Sequence, residues 1–156
     1  MKTPKSIAFR AIRILVITAV AFAGIVYVHL RRQEAASEVD PSARVVALAE
    51  GEELEPLLAR APVVVVSFGG EECSHCQALK PHLHQLADAH PEDLRVVLVD
   101  AYTHTAPARE AGVEAIPDTR IYVGGKSVDR RLGYQSHEAL QEWLKPHIAA
   151  AAYMHT

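Results

Sequence analysis

The chain has 156 residues, 49% of them hydrophobic and 22% charged, with a formal net charge of −3. That length carries one domain with a real core plus a short extension, and the composition excludes a disordered chain. Beyond residue 40 there are 10 basic and 16 acidic residues, so nothing there would replace phosphate counterions, and a nucleic-acid partner is excluded.

Lys2, Lys5, Arg10 and Arg13 crowd residues 1–13 with no acid among them. Residues 14–30 read ILVITAVAFAGIVYVHL, seventeen positions without a formal charge. As a helix they would span roughly 26 Å, slightly short of a bilayer core, and Arg13, Arg31 and Arg32 can snorkel to the two interfaces. The positive-inside bias then places the N-terminus in the cytoplasm and the body outside it. Two other readings stand beside this anchor. A signal peptide cleaved at Ala21-Phe22-Ala23 would leave an apolar stub at 24–28. A buried core helix would carry a polar stripe that this segment lacks. Anchor and signal peptide both export the body. The expected organisation is a basic cytoplasmic tail (1–13), a transmembrane anchor (14–30), a polar linker (31–43), a folded domain (44–150) and a short tail (151–156). The expected location is a single-pass membrane protein with its domain on the extracytoplasmic, periplasmic side.

Residues 44–48 (RVVAL) form a short candidate strand. Residues 52–60 carry Leu54, Leu57 and Leu58 at helical spacing, with Pro56 tolerable only in a first turn. VVVVSF at 63–68 is a β-branched run suited to a strand buried on both faces, and Gly69-Gly70 end it. A helix follows over 73–90, with Leu79, Leu83 and Leu86 on one side and Pro81 inside it. LRVVLVD at 94–100 is a second buried strand, so the pair forms a right-handed, parallel βαβ crossover. After a helical stretch at 107–112, runs at 120–123 and 127–132 flank Gly124-Gly125, the pattern of a hairpin. Ser136 is placed to cap a last helix bearing Leu140, Trp143, Leu144 and Ile148. The order β-α-β-α-β-α-β-β-α predicts an α/β fold, a mixed sheet with helices on both faces.

The two cysteines, Cys73 and Cys76, lie three positions apart and give no long-range staple. A C-x-x-C where a buried strand passes into a helix puts its first sulfur among unpaired N–H groups, which favour a thiolate. The second sulfur lies one turn on, within reach of a reversible disulfide. C-x-x-C is also half of a zinc site, but no second copy exists, so a four-thiolate centre is excluded. Of the nine histidines, His82 and His84 point to different helix faces and cannot chelate together. His90, His137, His147 and His155 read as surface residues. His104 reads as surface too, with the redox centre as its other option. The Arg130-Arg131 pair reads as a solvated strand end.

With these features in place the sequence resembles the thioredoxin family, from about residue 44 to residue 148. VVVVSF precedes Cys73-Ser74-His75-Cys76, Pro81 follows Cys76 by five residues, and the segment GVEAIP ends at Pro117, 44 residues after Cys73. Gly133 and the Leu/Trp helix match the family's C-terminal end. The resemblance implies a thioredoxin-like fold and thiol:disulfide exchange with protein disulfides or a redox partner, using no cofactor beyond the Cys73–Cys76 pair. Cys73 would be the nucleophile and Cys76 the resolving thiol. Pro117, in the cis form, would set the Ile116 backbone to pair with an extended substrate strand. Glu72, Ser74 and His75 would modulate the site. His75 resembles the residue of oxidising C-x-H-C relatives and would stabilise the thiolate, Glu72 opposes it, and Ser74 lacks the rigidity of proline.

The departures are specific. Glu72 stands where the family usually has tryptophan, Ser67 where it has a buried acid, and residues 94–100 contain no lysine. Proton transfer at Cys76 is therefore left to water, His75 or Glu72. Glu71, Glu72, Glu114 and Asp118 flank the two halves of the site, and an acidic rim of four carboxylates is expected. The alternative function is a copper chaperone using Cys73, Cys76 and His75; for the oxidoreductase no metal is expected.

Overall fold

A computed structural model describes residues 22–27 and 43–154. The chain divides into two compact units, 1–39 and 40–156. Of the first unit, residues 22–27 are helical, and among the described residues no helix is long and apolar enough to cross a membrane. The rest of the expected anchor, most of the linker and His155 lie outside the described residues.

The second unit runs β1 (Val45–Ala47), α1 (Glu55–Leu58), β2 (Val63–Gly69), α2 (Ser74–Ala89), β3 (Leu94–Asp100), α3 (Thr105–Glu110), β4 (Asp118–Val123), β5 (Lys126–Leu132) and α4 (His137–Met154). The sheet order is β1-β3-β2-β4-β5. β3 pairs parallel with β1 and β2, whereas β4 runs antiparallel to β2 and β5. The expected order of elements is therefore present, with both the crossover and the hairpin.

β2 lies at the centre and is buried from Val63 to Phe68. Alternation along it splits the core in two. Val63 and Val65 pack with Leu79, Leu83, Leu86, Leu140, Trp143 and Leu144 of α2 and α4. Val64, Val66 and Phe68 pack with Leu57 and Leu58 of α1, Ala108 of α3 and Tyr122. Each such side chain contributes about 1.5–3 kcal/mol on full burial, so the two clusters fix which face each helix covers. By the same alternation Ser67 turns toward the α2 side.

Some boundaries move, for local reasons. α1 spans only four residues and starts late, at Glu55, because Pro56 must sit in its first turn. Ala49 and Glu52 instead form a turn, the Glu52 carboxylate accepting from the Ala49 N–H at 3.1 Å. α3 begins at Thr105 rather than 107, which puts Pro107 in a first turn. Gly124 and Gly125 take φ of 56° and 77°, the left-handed pair a two-residue hairpin requires. Ser136 caps α4 as expected, its Oγ accepting from the Ala139 N–H at 3.3 Å.

Candidate redox site

β2 ends at Gly69, the chain turns through Gly70, Glu71 and Glu72, and α2 starts after Cys73. The turn is held from both sides. The Cys73 N–H donates to Gly70 O at 3.3 Å and the Ala101 N–H donates to Gly69 O at 2.9 Å. The Gln77 amide reaches back from α2 to Glu71 O at 3.1 Å. Cys73 is the N-cap of α2 in an extended conformation, and its Sγ accepts the Cys76 N–H at 3.2 Å. That is where a capping serine or aspartate oxygen would otherwise stand. Cys73 and Cys76 are joined in a disulfide.

Cys76 packs on the strand end. A Cβ at Gly69 would lie 3.2 Å from Cys76 Cβ and 3.4 Å from its Sγ, so the glycine makes room for the second cysteine. Below it a cavity of ≈170 Å³ is lined by Ser67, Cys76, Lys80 and Asp100 among others. A volume of this size is large enough to admit water. Ser67 is buried and its Oγ lies 3.3 Å from the Thr119 hydroxyl. Of the expected proton routes, water is therefore the one with a chamber beside Cys76. Gly69, Gln77, Lys80 and Asp100 were not anticipated. Gln77 and Lys80 had a local signal, each standing one helical turn beyond a cysteine.

The Ile116–Pro117 bond is cis. Pro117 is buried and its carbonyl accepts the Gly133 N–H at 2.8 Å. Ile116 Cδ1 comes within 3.6 Å of the Cβ position at Gly70, which brings Ile116 beside the loop that carries Cys73. Glu72, Ser74 and His75 are exposed around the disulfide.

The acidic rim needs correction. Asp118 is 0% exposed and belongs to an ionic cluster. Arg120 donates to its two oxygens at 3.2 and 2.9 Å, and Arg130 donates at 3.1 and 2.7 Å. Glu71, Glu72 and Glu114 remain exposed. The arginine pair is equally not a bare solvated end: Arg130 holds Asp118, and the Arg131 guanidinium lies 5.4 Å from the centre of the Trp143 ring.

His104 stands just before α3 without capping it through its side chain, and its ring joins two loops, with Nδ1 3.2 Å from Asp100 O and Nε2 3.0 Å from Ala49 O. It is half-buried and structural. His82 is half-buried against the Tyr134 hydroxyl at 2.9 Å, while His84 is exposed, as their spacing requires. His90, His137 and His147 are half-buried rather than fully at the surface; His147 meets the Asp129 carboxylate at 3.2 Å. Among the described residues no three His, Cys, Asp or Glu side chains are grouped to hold a metal ion, so the copper alternative gains no support.

The family model described as Thioredoxin matches residues 45–146. The chain belongs to the thioredoxin family. The thioredoxin of Chlamydia caviae is 32% identical over 85 residues, 54% of this chain and 82% of that one. The Bacillus subtilis thioredoxin is 29% identical over 86 residues, 55% and 83% of the two chains. Among solved structures, oxidised mitochondrial thioredoxin 3 of Saccharomyces cerevisiae superposes with a TM-score of 0.59 at 26% identity, covering 65% of this chain and 94% of that one. A mutant thioredoxin from Halobacterium salinarum shares the fold at 24% identity, with a TM-score of 0.62 and coverage of 69% and 93%. Thiol:disulfide oxidoreduction through the Cys73–Cys76 pair is thus the chemistry of this thioredoxin-family chain.

Proposed function

We propose that this chain is a membrane-anchored oxidoreductase that exchanges electrons with protein disulfides, or with a redox partner protein, outside the cytoplasm. The observation that carries the chemical part is the Cys73 sulfur at the N-terminus of α2, accepting the Cys76 N–H and closed on Cys76. In the reducing direction the Cys73 thiolate attacks a substrate disulfide, forming a mixed disulfide and releasing one substrate thiolate. Cys76 gives its proton to water in the adjoining cavity and attacks Cys73 Sγ. The Cys73–Cys76 disulfide forms and the second substrate thiolate leaves. Two electrons pass to the substrate, and two protons make its thiolates thiols. The oxidising direction is the reverse, and the partner's potential decides between them.

Ile116 presents backbone beside the Cys73 loop for an extended substrate strand to pair with. His75 stabilises the thiolate and Glu72 opposes it, so the two neighbours pull the potential in opposite directions. The uncharged run at 14–30 with its preceding basic cluster supports the anchor and the outward orientation. Reduction of insulin disulfides by dithiothreitol tests the reading. Catalysis by the full-length chain, lost in both Cys73→Ser and Cys76→Ser, is the expected result; rates equal to dithiothreitol alone would reject it.

A further inference from the structure

The loop that carries Cys73 brings no aromatic of its own, since residues 69–72 are Gly-Gly-Glu-Glu. An aromatic reaches this place from another element. Tyr102 follows β3 and is 71% exposed, yet its ring sits against the redox loop. A Cβ at Gly70 would lie 2.6 Å from Tyr102 Cε2 and 2.8 Å from Cδ2. Gly70 does not have a positive φ, so backbone conformation does not demand glycine there. The ring does. Ile116 Cδ1 approaches the same point at 3.6 Å, so Tyr102 and Ile116 both approach Gly70, three positions before Cys73.

The tyrosine is also held. Asp100 Oδ1 accepts the Tyr102 N–H at 2.8 Å and the Thr103 N–H at 3.2 Å. The His104 N–H donates to Asp100 O at 2.8 Å, and the Ala101 N–H ties the segment to Gly69. An aromatic ring fixed at its backbone and open to solvent offers contact area at little entropic cost.

We propose that Tyr102, with Ile116, forms an apolar wall of the substrate groove and selects disulfides whose cysteine is flanked by an aromatic or other large apolar residue. The inference rests on the oxidoreductase reading above. Gly70 keeps the wall in place, because a side chain there would push the ring out.

The test uses the full-length, reduced chain in detergent and two extended peptide disulfides, identical except for Phe or Ser beside the cysteine. Single-turnover exchange at increasing peptide concentration gives the half-saturating concentration and the limiting rate. The Phe peptide is expected to saturate at about tenfold lower concentration, with a similar limiting rate. Tyr102→Phe keeps that preference, and Tyr102→Ala brings the two peptides together. Gly70→Ala, which displaces the ring without removing it, also weakens the preference. Equal saturation of both peptides by the unaltered chain, or a preference that survives in Tyr102→Ala, overturns the role of Tyr102. Exchange with neither peptide would instead remove the oxidoreductase reading beneath it.

Discussion

Cys73 Sγ lies 3.2 Å from the Cys76 amide nitrogen, inside the disulfide-bonded turn that opens α2. A thiolate at Cys73 would keep this donor and gain a charge-assisted bond from it, whereas a thiolate at Cys76 has no cap to occupy. The asymmetry between the two cysteines is thus built into the first turn of the helix.

Glu72 adjoins that sulfur and is exposed. Its charge disfavours a thiolate at Cys73, so Glu72→Gln is expected to speed alkylation of reduced Cys73 at neutral pH. An exposed, screened neighbour is worth about a two- to fivefold effect. The gain should shrink at high salt. An unchanged or slower rate at low salt contradicts it.

Asp118 is the counter-charge for two arginines that face one another across the β4–β5 ladder, Arg120 opposite Arg130. Asp118→Ala leaves Arg120 buried without an ionic partner and two like charges side by side. A loss of about 3–5 kcal/mol is expected from the urea midpoint. A change below about 1 kcal/mol would mean that solvent reaches Arg120 freely.

Much of this was legible in the sequence and some was not. β2 and α2 were readable because a β-branched run and leucines at helical spacing state their own burial. Asp118 was not, because an isolated charge reads as exposed until its partners are known. Arg120 two residues on shares its strand face, but Arg130 arrives only with the hairpin register. Gly69 and Gly70 read as a strand terminator, and Gly69 does end β2; that they also leave room for Cys76 and the Tyr102 ring appears only in the fold. No local pattern encodes those contacts. The α3 boundary shifted because Pro107 marks a first turn, not a first residue.

Asp129 gives a pH-dependent test. Burial pushes its carboxyl upward, but bonds from the Trp143 indole, the Arg130 N–H and His147 outweigh this and hold it below the ordinary aspartate range. A lowered folded value means stabilisation is complete above the unfolded value of about 3.9 and is lost as pH falls through the folded one. Asp129→Asn should therefore lower Tm at pH 7, and the gap should close below about pH 4. A gap independent of pH contradicts the ionic origin.

The anchor is tested in intact cells and membranes. A protease added from outside should digest the body while residues 1–30 stay with the membrane. Release of the whole chain by alkaline carbonate would exclude a spanning anchor.

In the proposed exchange Cys73 attacks and Cys76 resolves. Removing the resolving thiol should trap the intermediate, so the reduced Cys76→Ser chain is mixed with a peptide disulfide and its adducts are located by mass spectrometry. A mixed disulfide accumulating on Cys73, with little on Cys76 in the reciprocal Cys73→Ser chain, is the expected result. Equal trapping on either cysteine, or faster trapping on Cys76, would contradict the assignment.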